Sequence, residues 1–452
     1  MLVMKFGGTS VGDAQAITRL ITIVKSRLAR KPVVVVSAVA KTTDKLMQAA
    51  LLAEKGELAI ATEKINELKK LHLAIANELI GNQELLTVTT TKINNYFSEI
   101  ESLLNGVNLL VELSNRSAAK IITYGEFLSS VIVSAAMTTN GINNSLLDAR
   151  SLIFTNDSYL KGEPDIELIN QKAPTLINNC LQQGRVVITQ GFVANTKEGI
   201  ITTLGRGGSD YSASLLGMTL GAEEIEIWTD VDGMLTADPR KVKNTKLIKV
   251  ISFAEAAELA YFGAKVLHPL TIQPALEKNI PVRILNSMNP LNTGTLILPD
   301  NKVNAEGIKS IACKENITVL NIYSTRMLNA HGFLKKIFEV FDQYQVAVDV
   351  VATSEVSVSL TIDNTEKLPN IITALSQFST VNVEQDKSLV CVVGQYLKQT
   401  KGIATRVFQA LGDFNVTMIS QGASAINLSF VVNSSDLSSV VQKLHDELFG
   451  DD

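Results

Sequence analysis

The sequence predicts an α/β protein in which a mainly parallel sheet, flanked by helices, is followed by two smaller α+β repeats. Three observations support this fold class. Short β-branched runs alternate with longer helical patterns to about residue 300, and Gly, Ser, Thr or Asp follows nearly every strand of this part. Beyond a polar stretch at 300–307, a shorter strand-helix-strand-strand rhythm appears twice. A chain of 452 residues also favours two or three domains.

The first part of the chain begins with a predicted strand at 1–6, a helix at 14–30 and a second strand at 32–37. Further strands are predicted at 185–189, 199–203, 224–229 and 282–285. The segment 43–110 is rich in Leu, Ala, Glu and Lys, which predicts a helical cover or lid. Ligands bind at the carboxyl ends of strands in open α/β sheets, so we expect the functional site at the strand ends.

The repeated tail predicts two copies of one supersecondary unit. The first copy has strands at 318–323, 346–352 and 357–362 with helices at 332–344 and 368–378; the second has strands at 389–394, 416–421 and 425–432 with helices at 403–414 and 435–448. We therefore predict domains at 1–300, 308–386 and 387–452, the last recruiting a strand from about 308–314. Paired modules of this kind form an interface that suits a ligand.

Composition argues against several classes of function. The chain has 41 basic and 45 acidic residues without a long basic run, so we expect neither nucleic acid nor a membrane as partner. Its three cysteines are far apart and its four histidines show no paired spacing, so we expect no disulfide framework and no metal site. The first apolar run is too short for a signal peptide and no stretch reaches about 18 apolar residues, which favours a reduced, cytoplasmic protein.

Two glycine-rich segments have the chemistry of anion sites. In 5–10, KFGGTS, glycines allow close backbone approach, N–H groups at a helix start favour anionic oxygens, and Lys5 adds a positive charge. The spacing is not that of a Walker A loop, and a plain strand-to-helix turn is the alternative. In 202–210, TTLGRGGSD, three glycines surround Arg206 and a carboxylate follows, which suits a small anion beside a phosphate.

Two further segments carry weaker signals. The segments 227–233, IWTDVDG, and 237–240, ADPR, could hold a ribose, a base edge and a phosphate, although a solvated loop with an Asp-Gly turn explains them equally well. In 262–269, FGAKVLHP, Lys265 lies near the predicted end of an apolar helix. A single lysine at such a place usually faces solvent.

Six motifs in order, KFGGTSV, ITQGF, TTLGRGGSDYSA, WTDVDG, TADPR and FGAKVLHP, resemble those of the aspartate kinases. The resemblance spans essentially the whole chain. It implies an amino-acid kinase fold followed by two ACT-type (βαββαβ) regulatory domains. It also implies phosphorylation of the side-chain carboxylate of aspartate with ATP and Mg²⁺, as the first step of lysine, threonine and methionine biosynthesis.

The same resemblance assigns site residues. Those implied in catalysis are Lys5, Gly7, Gly8 and Lys265; those implied in binding aspartate are Thr43, Glu126, Arg206 and Asp210; those implied in binding the nucleotide are Lys5, Ser10, Thr229, Asp230, Leu235, Arg240 and Lys265. Related sequences often have a tyrosine at the position of Leu235. Packing of the base against an aromatic ring at that point is therefore not implied here.

The first repeat resembles the effector-binding face of lysine-sensitive aspartate kinases, which implies inhibition by lysine. The residues implied are Met327, Phe333, Leu334, Val348, Asp349, Thr353, Ser354 and Glu355. Asp349 would meet an ammonium group and the apolar members would line an aliphatic stem. Alternatively, Asp349 is an exposed charge at a strand end and the apolar residues are core. Regulatory modules of this type also imply a homodimer or homotetramer.

Two other functions stay open on the sequence. A kinase for another amino acid shares the phosphate loops, although the paired repeats and TTLGRGGSD argue against it. An amino-acid sensor without turnover is the non-enzymatic alternative, against which stand Lys5, Arg206, Asp210 and Lys265. The chain ends directly after the second repeat, so we expect no fused homoserine dehydrogenase.

Overall fold

The computed structural model describes residues 1–263, 271–303, 307–327 and 331–450. Up to residue 303 the strands are β1 Leu2–Phe6, β2 Pro32–Val36, β3 Asn144–Leu147, β4 Val186–Gln190, β5 Val193–Asn195, β6 Ile201–Thr203, β7 Glu224–Thr229, β8 Val250–Ser252, β9 Val282–Asn286 and β10 Thr295–Leu298. The helices of this part are α1 Ala14–Lys25, α2 Thr42–Glu54, α3 Leu58–Leu79, α4 Gln83–Leu110, α5 Asn115–Thr139, α6 Ile166–Gln182, α7 Gly208–Leu220, α8 Phe253–Tyr261 and α9 Gln273–Glu277.

Eight strands form one sheet in the order β3-β4-β2-β1-β7-β9-β10-β8, and every pairing is parallel except that of β9 with β10. The central strand β1 is buried along its whole length, as is β2. A strand buried on both faces needs a nearly continuous apolar run, which LVMKF and PVVVV supply. The mainly parallel sheet flanked by helices is therefore confirmed.

The predicted helical cover is confirmed as the three helices α2, α3 and α4. Helix α5 follows them and is long and apolar enough to cross a membrane by length and composition alone. However, 89% of its most apolar window is buried inside the protein. Its apolar surface thus packs in the core, as expected for a central helix of a folded domain.

The strands of the tail are β11 Gly307–Tyr323, β12 Val351–Thr353, β13 Ser357–Ile362, β14 Thr380–Gln395, β15 Met418–Gln421 and β16 Asn427–Asn433; its helices are α10 Phe333–Gln343, α11 Leu368–Leu375, α12 Ile403–Ala410 and α13 Leu437–Phe449. The six strands form one antiparallel sheet in the order β12-β13-β11-β14-β16-β15. Both repeats therefore share a single sheet, and β11 and β14 run through both of them.

Three strand predictions in the tail had the wrong extent. The predicted strands 318–323 and 389–394 are only parts of β11 and β14, which pair with each other across irregularities near Ile317. The predicted strand 346–352 is a strand only at Val351–Thr353, because the chain leaves α10 through a left-handed residue, Gln345 (φ 53°), and irregular backbone follows. Near residue 317 the shifts in pairing register interrupt the alternation of side chains between the two faces of the sheet. The sequence pattern therefore shows two short strands where one long strand exists.

The structure divides into two compact units. One comprises 1–234, 249–253 and the described part of 266–303, and the other comprises 235–248, 254–263 and 307–450. Two segments before residue 300 thus belong to the unit that holds the repeats, and the predicted domain boundaries remain a prediction. Two clusters of buried side chains fill the second unit, one under each repeat.

Candidate active site

A cavity of about 300 Å³ lies at the carboxyl ends of the parallel strands in the first unit. Five of the residues predicted for catalysis or aspartate binding line it: Lys5, Gly8, Thr43, Glu126 and Asp210. The remaining lining residues are Ser37, Ala38, Val39, Lys41, Asp44, Phe192, Gly205, Gly207, Gly208 and Ser209. Residues up to 205 positions apart in the chain thus surround one small space.

Lys5 and Asp210, both predicted for the site, form an ion pair inside the cavity. Lys5 Nζ lies 2.6 Å from Asp210 Oδ1, and the two side chains are 11% and 14% exposed. Lys5 is the fourth residue of β1, and Asp210 lies in the first turn of α7. Because both side chains are largely buried, water screens this pair less than it would a pair on the surface.

Glu126 is the second carboxylate of the cavity and is almost completely buried in α5. Its Oε1 accepts a hydrogen bond of 3.3 Å from the backbone N–H of Ala38, and its Oε2 has no hydrogen-bond partner among the described residues. Burial raises the pKa of Glu126 to about 8, against the smaller opposing effect of the Ala38 N–H. A carboxyl group placed in this way is suited to receive an ammonium group, whose positive charge would favour its ionised form.

Close packing holds α5 against the turn after β2. A Cβ atom on Gly125 would lie 2.8 Å from the Cβ of Ala38 and 3.5 Å from the Thr43 hydroxyl oxygen. Only glycine allows the helix to approach this near, and the approach brings the neighbouring Glu126 to the Ala38 N–H. Thr43 lies at the start of α2, on the wall of the same cavity.

Glycines also shape the opposite wall. A Cβ on Gly208 would lie 2.7 Å from the Phe192 ring, and one on Gly191 would lie 2.6 Å from the Cβ of Ser209. Gly205 and Gly207 have left-handed backbone, with φ of 74° and 70°. The glycines of TTLGRGGSD thus let the chain turn and pack beside the end of β4.

A second group of predicted residues lies beside the cavity. Gly7 N–H donates to the Trp228 carbonyl at 3.0 Å, and the buried Ser10 hydroxyl donates to Ser287 Oγ at 2.8 Å. Thr229 is the last residue of β7, the strand next to β1, and its Oγ1 donates to Oδ1 of the following Asp230 at 3.2 Å. The Ser10 hydroxyl therefore stabilises the turn that follows β1.

The last four residues predicted for the active site are Arg206, Leu235, Arg240 and Lys265. Arg206 is exposed between the two left-handed glycines. Leu235 and Arg240 belong to the second unit, where Arg240 forms an ion pair of 2.6 Å with Asp238. That guanidinium lowers the pKa of Asp238 below its usual value. Lys265 lies outside the described residues.

Sequence reasoning gave no role to several lining residues, among them Lys41, Asp44 and Phe192. Phe192 comes two residues after β4, and its backbone N–H donates to Ser212 Oγ at 2.9 Å. The signal that could have found it is the motif ITQGF, a strand followed by glycine and an aromatic residue. Lys41 and Asp44 gave no comparable signal, since charges at a helix start are common.

In the second unit, the residues predicted for the effector have mixed environments. Met327 and Val348 pack partly buried against the core of the first repeat, as does the buried Phe333, whereas 44% of Leu334 is exposed. Thr353 and Glu355 are exposed, and Ser354 Oγ lies 2.7 Å from Ser357 Oγ.

Asp349 is buried rather than exposed, with 3% of its side chain accessible. Its Oδ1 lies 2.8 Å from Lys314 Nζ and accepts a hydrogen bond of 2.8 Å from the Tyr261 hydroxyl. Its Oδ2 has no hydrogen-bond partner among the described residues. The alternative of an exposed strand-end charge is therefore wrong for this carboxylate.

The chain is similar in sequence to known proteins along nearly its whole length. The amino acid kinase family matches residues 1–286 and the ACT domain matches residues 390–448. Lysine-sensitive aspartokinase 3 of Escherichia coli is 37% identical over 99% of both chains, and chloroplastic aspartokinase 1 of Arabidopsis thaliana is 37% identical over 99% of this chain and 80% of its own length.

Two solved structures of an aspartokinase are similar to nearly the whole chain. The E. coli aspartokinase III structure in complex with aspartate and ADP (R-state) has a TM-score of 0.85 and 37% identity, covering 99% of this chain and 100% of that one. The structure of the same enzyme with lysine and aspartate (T-state) has a TM-score of 0.83 and 38% identity, covering 99% of each chain. The chain belongs to the amino acid kinase family. Within that family it is an aspartokinase with an ACT regulatory region.

Proposed function

We propose that this aspartokinase transfers the γ-phosphoryl group of Mg-ATP to the side-chain carboxylate of L-aspartate, forming 4-phospho-L-aspartate, and that lysine inhibits it. The observation that supports the reaction is the single cavity that holds the Lys5 ammonium, the Glu126 and Asp210 carboxylates and Thr43. Charged and polar groups gathered around one small space suit an amino acid that has a phosphoryl donor beside it.

The substrate needs no general base, because its side-chain carboxylate is already ionised at neutral pH. The protein's task is to position this nucleophile. Glu126 or Asp210 receives the ammonium group, Arg206 binds the α-carboxylate and Thr43 contacts the reacting end. A ligand with one ammonium and two carboxylates satisfies all of these groups, which favours aspartate over neutral amino acids.

The end of the cavity near β1 fits the phosphates of a nucleotide. Lys5 places its ammonium there, and Gly8 begins a turn whose first N–H groups have no acceptor within the turn. A Cβ on Gly8 would lie 3.1 Å from the Ala38 carbonyl, so the glycine keeps this approach open. Lys5, with Lys265, would offset negative charge on the transferring phosphoryl group.

Mg²⁺ neutralises phosphate charge when it is bound with the nucleotide, mainly through the phosphates and water. No group of three His, Cys, Asp or Glu residues arranged to hold a metal ion occurs among the described residues. Thr229, Asp230 and Arg240 are the proposed partners of the rest of the nucleotide.

Acyl-hydroxamate formation tests the reaction. Purified protein with Mg²⁺, ATP, aspartate and hydroxylamine should give aspartyl hydroxamate, while glutamate or N-acetylglutamate in place of aspartate should give little. Lys45→Ala is a matched control for Lys5→Ala, because Lys45 is a half-exposed lysine of α2 that does not line the cavity. Absence of product from wild-type protein with aspartate would overturn the proposal.

Lysine is the proposed effector, since a relative that is 37% identical over the full chain is lysine-sensitive by name and the buried Asp349 has an oxygen free for an ammonium. Lysine would stabilise a less active arrangement of the protein, which is a shift of population. Adding lysine to the hydroxamate assay should lower the rate, and an unchanged rate would refute this effector.

We further propose that the chain works as a homodimer or homotetramer in the cytoplasm. The shared sheet of the two repeats supports pairing between subunits, since paired modules of this kind present a further interface. Sedimentation with and without lysine measures the number of subunits.

A further inference from the structure

The carboxylate proposed to receive the effector already binds an ammonium group of the protein itself. Lys314, on β11, places its Nζ 2.8 Å from Asp349 Oδ1 and 2.8 Å from Asp363 Oδ2. Lys314 and Asp349 are both largely buried, with 20% and 3% of their side chains exposed. A buried pair of this kind keeps much of its attraction, because water screens it poorly.

Asp349 has a second partner, the hydroxyl of Tyr261, which is the last residue of α8. Lys314 Nζ lies 5.3 Å from the centre of the Tyr261 ring, so the ammonium contacts both the phenol face and the carboxylate. Burial, together with the bond to Asp349, raises the pKa of Tyr261 above its usual value. The phenol therefore stays a hydrogen-bond donor at neutral pH.

The charges of this cluster leave room for one more cation. Asp349 and Asp363 contribute two negative charges and Lys314 one positive charge, and Asp349 Oδ2 has no hydrogen-bond partner among the described residues. An arriving ammonium can be received at Oδ2. The arriving ammonium would then repel the Lys314 ammonium, for which Asp363, 44% exposed, offers a second carboxylate.

We propose that Lys314 is an internal competitor for the effector's ammonium at Asp349, and that Tyr261 couples the exchange to α8. The inference rests on the proposed function, because it takes lysine as the effector at Asp349. Arrival of the effector would weaken the hold of Asp349 on Tyr261 and so loosen the end of α8. Lys265, implied in catalysis, follows Tyr261 by four positions in the chain. Lys314 is thus a residue that sets effector affinity, and Tyr261 is a positioning residue.

Two variants separate these roles. Lys314→Met keeps the apolar stem and removes the competing charge, so lysine should bind about tenfold more tightly by calorimetry. Lys335→Met is the matched control, since Lys335 lies on α10 with 77% of its side chain exposed, and it should bind lysine as the wild type does. Tyr261→Phe keeps the ring and removes the donor, so lysine should still bind while the maximal inhibition falls at least several-fold. Tyr323→Phe, a half-exposed tyrosine of β11, is its control.

The outcomes distinguish this inference from the proposed function. Wild-type protein that does not bind lysine refutes the effector, and the inference fails with it. Wild-type protein that binds lysine, together with a Lys314→Met variant of equal or weaker affinity, refutes the competitor alone. Full inhibition of Tyr261→Phe by bound lysine refutes the coupling through α8.

Discussion

Replacing Glu126 by glutamine should stabilise the protein increasingly as the pH rises. The unfolded chain loses the proton of a glutamic acid near pH 4.5, whereas burial keeps it on folded Glu126 up to about pH 8. Between these values the unfolded state binds fewer protons than the folded state, so wild-type stability falls as pH rises. The slope is about 1.4 kcal/mol per pH unit for a group whose pKa is raised in this way.

The comparison of two pH values isolates this effect. From pH 5.5 to 7.5 the difference in unfolding free energy between Glu126→Gln and wild type should grow by about 2–3 kcal/mol, because only the wild type has this carboxyl group. Urea unfolding followed by circular dichroism at both pH values measures it. Glu63→Gln, at an exposed position of α3, is the control and should show no such growth. A difference that stays constant with pH would refute the raised pKa and its cause.

Binding of aspartate should release a proton from the carboxyl group of Glu126. At pH 7.5 a group with a pKa near 8 is about three-quarters protonated, and an ammonium bound at Oε2 favours the ionised form. Calorimetric titration of aspartate in buffers of different ionisation enthalpy counts this proton. The Glu126→Gln variant should bind aspartate weakly and release none.

Three further outcomes are expected. Lys5→Ala should lower kcat by about 100-fold or more in the hydroxamate assay, because the phosphoryl group loses a fixed positive charge, and a wild-type rate would contradict this role. Burial lowers the pKa of His72 to about 4, so stability should fall as pH drops below 6.5, by about 2 kcal/mol at pH 5, and His72→Leu should lack this part of the loss in urea titrations. Gly208→Ala should cost about 1–3 kcal/mol in unfolding free energy because its Cβ would press on the Phe192 ring, whereas Gly106→Ala, with open space around it, should cost nothing.

The sequence predicted the central sheet well because its strands are buried on both faces. LVMKF and PVVVV are nearly continuous apolar runs, as a strand buried on both faces requires, and Gly7 and Ser37 mark where these two strands end. The shared sheet of the tail was not predictable in the same way. There β11 is half exposed near residue 315 and passes a left-handed Asn316, so the alternation that identifies a strand is interrupted.

Ion pairs between distant elements lie beyond what residue patterns can show. Lys5 with Asp210 and Lys314 with Asp349 are separated by 205 and 35 positions, and each lysine had other carboxylates available in the sequence. Only the packing of strands and helices selects one partner. The identity of the charged residues was therefore predictable, while their pairing was not.

The parallel register explains why part of the site could be expected from strand ends alone. Phe6 pairs with Val36, and Val36 pairs with Gln190, so the three strands end at one level of the sheet. The residues that follow, beginning with Gly7, Ser37 and Gly191, must then lie side by side at the same edge. The position of Glu126 cannot be expected from strand ends, because Glu126 lies in the middle of α5. It reaches the edge of the sheet only through the close contact at Gly125. A site built from strand ends can be located from sequence, but the helix that completes it is placed by packing that sequence patterns do not reveal.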